Sequence, residues 1–423
     1  MRKLLLVPAV ALVLAWSSLA AAGGSPSGPP PTPVPPYGSP SPFPTALATP
    51  KPAQHPPRIS AVAAVLEDLD TGQVLYARHL DRRRAIASLT KIMTAIVVLH
   101  RASPGDVVKV SAEAASLGSE NVGLSELGVQ RGERLTVRQL LYAMLLQSAN
   151  DAAVALADDI SPSTAAFVGA MNREARRDGF SGTKFYSPNG LDDRGYSTAR
   201  SLAGMTRLAE RSPLFARIVR TKFHVVPAPP GGAPRRIQNR NVLLWLYPHA
   251  TGAKTGYTGK AGFCLVATAR LSGAHFVAVV LGDTSSEASF ADAASLLTYG
   301  FHALVRSRVI SKGARLPPAR VDGLEYPLAA AKALRAWVPA DAGRPGVRIH
   351  LPSTRSTPRV GDRMGTAVLS LRGRVLGRVP AVVSGVPHVA PPPVPRETST
   401  PWWQRGIDTV NRAADGLFHT IFG

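Results

Sequence analysis

Three short patterns in this chain carry side chains able to do nucleophilic chemistry. The first is Ser88-Leu-Thr-Lys91. On a helix, a three-residue spacing puts serine and lysine on one face, one turn apart. A serine hydroxyl is a weak nucleophile until a base takes its proton. A buried lysine can be that base, because desolvation and nearby positive charge lower its pKa. The second pattern, Ser148-Ala-Asn150, offers another hydroxyl and a carboxamide. The third, Lys254-Thr255-Gly256, offers a cation and a hydroxyl suited to a carboxylate. Its glycine lets another backbone approach closely.

Each pattern alone is weak. Serine-x-x-lysine recurs at Ser181 to Lys184, and serine-x-asparagine recurs at Ser119 and Ser187. Lys-Thr-Gly occurs once. Order and setting single out one set: nucleophile, middle motif, strand motif. That trio is shared by penicillin-binding proteins and class A β-lactamases.

The surrounding sequence must position these groups. Ile92, Ala95, Ile96 and Leu99 recur at helical spacing behind Ser88. Leu140 to Leu146 and Ala152 to Ala157 read as helical pieces on either side of Ser148. Phe263 to Ala269 and Ala274 to Leu281 read as strands joined by a Leu271-Ser-Gly turn. Ala61 to Glu67 and Gln73 to Leu80 form a hairpin pattern, and Phe290 to Val305 a closing helix. Strands at both ends with helices between suggest one α/β (α+β) domain.

The ends read differently. Residues 1–22 have a basic start, an apolar run and a small-x-small site, the marks of an export signal. Residues 23–57 form a proline-rich linker, which removes amide donors and forms neither sheet nor helix. The main domain is placed at 58–310. A small all-β domain at 316–386 follows, then a second proline-rich linker at 387–401. Residues 402–422 place Trp403, Ile407, Val410 and Leu417 on one helical face, an amphipathic pattern suited to an anionic membrane surface.

Composition excludes other chemistries. One cysteine, Cys264, allows no intramolecular disulfide and no thiolate zinc site. No H-E-x-x-H, G-x-G-x-x-G or G-x-S-x-G is present. No metal or organic cofactor is expected. The net charge of +22 suits a polyanionic partner. The charge is spread along the chain without a nucleic-acid motif, so nucleic acid is not expected.

The chain resembles the serine-type D-Ala-D-Ala carboxypeptidases, the low-molecular-mass penicillin-binding proteins of peptidase family S11. The matching runs are Ala87-Ser-Leu-Thr-Lys-Ile-Met-Thr-Ala95, Ser148-Ala-Asn-Asp-Ala-Ala153, Phe167-Val-x-x-Met-Asn172, Ser187-Pro-Asn-Gly-Leu191, Gly252-x-Lys-Thr-Gly-Tyr-Thr258 and Leu296-Leu-Thr-Tyr-Gly-Phe301. The resemblance implies a β-lactamase/transpeptidase-like domain with an antiparallel sheet flanked by helices. It implies that Ser88 attacks the bond between two terminal D-alanines of a peptidoglycan stem peptide and that Lys91 accepts its proton. Ser148 would relay that proton to the leaving amine, supported by Lys254. Asn150 would bind the substrate amide and Thr255 its carboxylate. The amides of Ser88 and Tyr257, the latter just beyond Gly256, would form the oxyanion hole. β-Lactams would be covalent inhibitors, and the enzyme would work on the outer face of the cell membrane.

The chain departs from the family pattern in two places. Tyr257 stands where some members have histidine, and Ser289 stands where many carry an arginine before the closing helix. Two alternatives use the same residues: a β-lactamase-like hydrolase and a non-catalytic wall-binding or penicillin-sensing protein. No convincing E-x-x-x-N segment supplies the base that a class A lactamase needs.

Overall fold

Strand-forming runs from the two ends of the main domain meet in one five-stranded antiparallel sheet. The spatial order is Val74–Arg78, Ala63–Asp68, Ala274–Asp283, Gly262–Leu271, Ala250–Thr258. The computed structural model describes residues 55–120, 125–229, 231–351 and 358–389. The export signal, nearly all of the 23–57 linker, most of the second linker and the 402–422 helix lie outside those residues.

The inner strands are apolar on both faces because both faces are covered. Successive side chains of a strand point to opposite sides. Ala63 and Val65 pack into the cluster under the helices, with Val277 and Val279. Ala64 and Leu66 pack on the other side, against Phe276, Phe290 and Leu296. Fully burying one such large side chain contributes about 1.5–3 kcal/mol.

The helix Lys91–Arg101 is buried from Lys91 through Val98. A helix that is apolar nearly all round belongs in a core, which makes the lysine at its start unusual. His100 and Arg101 in its last turn suit the negative end of the helix dipole. The helix Val137–Tyr142 starts in a capping box between Thr136 and Gln139. It runs into one π-helical stretch, Ala143–Gln147, and the helix Asn150–Ile160 follows. Such π stretches are often found at functional sites.

The closing helix spans Ser286–Ala303 and is capped by Ser285, which accepts from the Ala288 amide at 3.1 Å. It therefore starts earlier than its apolar pattern suggests, because a polar cap and first turn carry no apolar periodicity. Val305 falls in a strand, Leu304–Ile310. Ser289, expected ahead of the helix, lies inside its first turn. It is buried and donates to the Ser286 carbonyl at 2.7 Å.

The chain divides into two compact units. Among the described residues the second comprises Ser307–Ala336 and those from Gly343 to Val389. Its sheet runs Arg315–Val321, Leu324–Ala330, Arg374–Val383, Arg363–Leu371, Gly346–His350. Its core is built on Tyr326, Leu328, Leu369 and Val379. Trp337–Ala342 returns to the first unit. There the Trp337 indole donates to Asp68 at 2.6 Å, and the Gln73 side chain closes a pair of hydrogen bonds with the Trp337 backbone at 2.7 and 2.8 Å.

Candidate active site

Ser88 sits in a single 3₁₀ turn, Ala87–Thr90, that leads into the Lys91 helix. Ala87 holds a left-handed backbone, φ 46°. A non-glycine residue there is strained, and such strain gathers at functional sites. Ser88 is half-buried, so its hydroxyl is reachable. The Lys254 strand presses on this turn through Gly256. A Cβ on Gly256 would stand 3.0 Å from the Ile86 carbonyl oxygen and 3.2 Å from the Ser88 amide nitrogen. Glycine is what allows the strand to lie beside the serine backbone.

Lys91 is wholly buried and its Nζ has three partners. They are Ser88 Oγ at 2.8 Å, Asn150 Oδ1 at 2.7 Å and the Asn189 carbonyl oxygen at 2.7 Å. Two of these are acceptors only. A neutral amine has two N–H groups for them and one lone pair left, which faces the Ser88 hydroxyl. Burial brings the Lys91 pKa down to about 7; Glu126 opposes that fall and Arg240 adds to it. The arrangement can therefore draw a proton from Ser88. A lowered amine pKa means that the basic form is present above about pH 7 and lost below it. We expect kcat/KM for D-alanine release to rise with pH, with a midpoint of about 7. A limb centred near the ordinary lysine value, about 10.4, would refute the assignment of this base.

Asn150 is held so that its oxygen faces Lys91. Its amide nitrogen donates to Glu126 Oε1 at 2.9 Å, while Glu126 Oε2 accepts from the Asp151 amide at 2.8 Å. Burial raises the Glu126 pKa and the nearby Asp151 charge adds to it, while Asn150 opposes the shift. Asp151 gathers the amides of Leu127, Gly128 and Val129 and so fixes the segment that carries Glu126. Ser148 follows the π stretch in a left-handed conformation, φ 68°. Its Oγ is buried and has no hydrogen-bond partner among the described residues.

The strand Ala250–Thr258 forms the opposite wall. Lys254 is buried and donates to the Thr255 carbonyl at 2.9 Å. Burial and the charges of Lys91 and Arg240 push its pKa well below the usual lysine value. An anion beside it would reverse that shift. Thr255 Oγ1 is likewise buried and unpartnered among the described residues. Tyr257 is 40 % exposed and its ring lies 4.4 Å from that of Phe263. The three sequence patterns thus meet, the second through Asn150 on Lys91 and the third through Gly256 on the serine turn, and they bring two unpartnered hydroxyls and the Lys254 amine with them. The competing pair does not: Ser181 lies in a turn, and Lys184 is exposed over the Tyr186 ring at 4.9 Å.

Comparison with known proteins gives the family. The D-alanyl-D-alanine carboxypeptidase family profile matches residues 50–285. The chain belongs to the D-alanyl-D-alanine carboxypeptidase family. One relative, the D-alanyl-D-alanine carboxypeptidase DacF of Bacillus subtilis, is 30 % identical over 343 residues, 76 % of this chain and 84 % of that protein. The crystal structure of the carboxypeptidase DacD from Francisella tularensis matches with a TM-score of 0.66 and 26 % identity, covering 80 % of this chain and 96 % of that one. Penicillin-binding protein 5 from Haemophilus influenzae matches with a TM-score of 0.63 and 28 % identity, covering 79 % and 99 %. The chain is a serine-type D-Ala-D-Ala carboxypeptidase of the low-molecular-mass penicillin-binding group.

Sequence reasoning missed several groups that build this carboxypeptidase's site. Glu126 and Arg240 carry no motif, and Asp151 lies in a quoted family run but is given no role there. Asn189 lies in a quoted family run, but its acting group is a backbone carbonyl, which side-chain type does not encode. The loop 187–193 grips both walls of the site. Pro188 accepts from Thr94 Oγ1 at 2.5 Å, Asn189 accepts from Lys91, and Asp193 accepts from Thr258 Oγ1 at 2.6 Å. Asp193 is thus a positioning residue for the strand that carries Tyr257. Asp193→Ala should lower kcat about tenfold with little change in KM. Asp193→Asn, which keeps an acceptor oxygen, should restore it. Equal losses in both variants would show that the contact does not position the strand.

Proposed function

We propose that this carboxypeptidase removes the terminal D-alanine of peptidoglycan pentapeptide stems through an acyl-enzyme on Ser88. The three-way coordination of Lys91 Nζ carries the reading. Ser88 Oγ bonds to the scissile carbonyl carbon as its proton passes to Lys91. The negative charge on the carbonyl oxygen is met by the amides of Ser88 and Tyr257, fixed donors of the oxyanion-hole type. The closeness of Gly256 to the Ser88 amide supports that pairing. The C–N bond then breaks, and the leaving D-alanine nitrogen takes the proton through Ser148. Water hydrolyses the ester and regenerates the serine.

The unpartnered Thr255 hydroxyl and the buried Lys254 charge suit the substrate's terminal carboxylate. Asn150 would bind the substrate amide while it orients Lys91. β-Lactams would acylate Ser88 in the same way. The reading also includes export, on the strength of the leader-like residues 1–22. The test is mass spectrometry after penicillin treatment. One penicillin mass is expected on the peptide that contains Ser88. Labelling of another residue, or none, would overturn the reading.

A further inference from the structure

A cavity of about 870 Å³ opens where the C-terminal half of the Lys91 helix meets Val137–Tyr142 and the segment from Leu208 to Arg217. None of the residues of the Ser88 site lines it. Its size is that of small-molecule sites, about 300–1,000 Å³. Its floor is apolar, with Ile96, Leu99, Leu208 and Leu214. Its rim carries Arg138, Arg211 and Arg217, all exposed.

The charges are one-sided. No aspartate or glutamate is among the described residues that line the cavity. The three arginines make no ion pair among the described residues. His100, also on the wall, differs: its Nδ1 lies 2.6 Å from a Glu174 oxygen. The walls are well fixed. Arg138 donates its amide to the Pro104 carbonyl at 3.0 Å, and its helix begins in the Thr136 capping box. The Tyr142 and His224 rings stack at 3.7 Å and 11°.

Guanidinium forks match phosphate oxygens in geometry and charge. A phosphate monoester carries about −1.5 to −2 at neutral pH, which meets three guanidiniums better than one carboxylate does. The apolar floor would reward an attached chain by roughly fourfold in affinity per buried methylene. We propose that this cavity binds a phosphate-headed amphiphile. Arg138, Arg211 and Arg217 hold the phosphate, and the Ile96, Leu99, Leu208 and Leu214 floor holds the chain.

The test is calorimetric titration of the full chain with three soluble probes: dihexanoyl phosphatidic acid, dihexanoyl phosphatidylcholine and inorganic phosphate. Phosphatidic acid should bind at least tenfold tighter than either of the others. The double variant Arg138→Gln/Arg217→Gln should weaken it tenfold or more while D-alanine release stays unchanged. Equal binding of phosphatidylcholine would remove the role of the arginines. Equal binding of inorganic phosphate would remove the role of the floor. No binding, or binding unchanged in the double variant, would overturn the site.

Discussion

D-Alanine release by the Ser88→Ala variant should fall by roughly 10⁴-fold or more, with the fold intact. Ser88 is half-buried and its hydroxyl is bonded to Lys91 alone among the described residues. Its loss therefore leaves little unsatisfied and should move the melting temperature by only a few degrees. Lys91→Met should cost about 10²–10⁴-fold, the range for removing a positioned base. Methionine keeps the length but leaves Asn150 Oδ1 and the Asn189 carbonyl without a donor, at about 1–3 kcal/mol each. Lys91→Met should therefore lose stability where Ser88→Ala does not. The two groups act as one unit, so the double variant should be no slower than Ser88→Ala. A further drop would mean that Lys91 works independently of the serine. The measurement is D-alanine release from a diacetyl-Lys-D-Ala-D-Ala peptide.

Gly190→Ala should have the second largest effect, although glycine carries no side chain to take part in the chemistry. Gly190 has φ +85°, and a Cβ there would stand 2.0 Å from the Ala87 carbonyl oxygen and 2.8 Å from Thr90 Oγ1. Neither neighbour is a flexible side-chain end. The loop must retreat from the serine turn and take the Asn189 carbonyl away from Lys91. A left-handed alanine and the displaced packing together cost on the order of 3 kcal/mol. For a unit of this size that lowers the melting temperature by roughly 6–12 °C. A shift of about 1 Å at a reacting group costs on the order of 100-fold in rate. Wild-type kcat and melting temperature in this variant would show that the loop does not press on the serine turn.

The sheet was legible because each inner strand is a long apolar run with a clear turn. The Leu271-Ser-Gly turn is one case: Ser272 and Gly273 both take positive φ between two paired strands. The Ser88 helix was legible for the same reason, since its apolar periodicity is strong. The strand Ala250–Thr258 was placed only as a motif ahead of another strand. Its Thr-Gly-Ala-Lys-Thr-Gly run lacks both alternation and apolar bulk, and its burial comes from the neighbouring strand and the serine turn.

The three motif groups are legible as side-chain types in order. Their second layer is not. Glu126 lies 24 residues from the asparagine that it orients, and Asn189 lies 98 residues from Lys91. Long-range pairing of this kind leaves no periodic mark. The Ser289 departure has a related cause, because a cap residue rather than an apolar stripe marks where that helix begins.

The return of Trp337 to the first unit bears on the timing of synthesis. Gln73 and Asp68 emerge early, yet their partner follows 264 and 269 residues later. The sheet built from residues 63–283 can pair before then. The indole that meets Asp68 and lies 5.2 Å from the Phe276 ring arrives only after several strands of the second unit have been made. The catalytic unit is therefore finished by a segment that the ribosome delivers from within its neighbour. A chain released at residue 310 would leave Gln73 and Asp68 without their Trp337 partner, and a contiguous cut between the two units would separate the wrong residues.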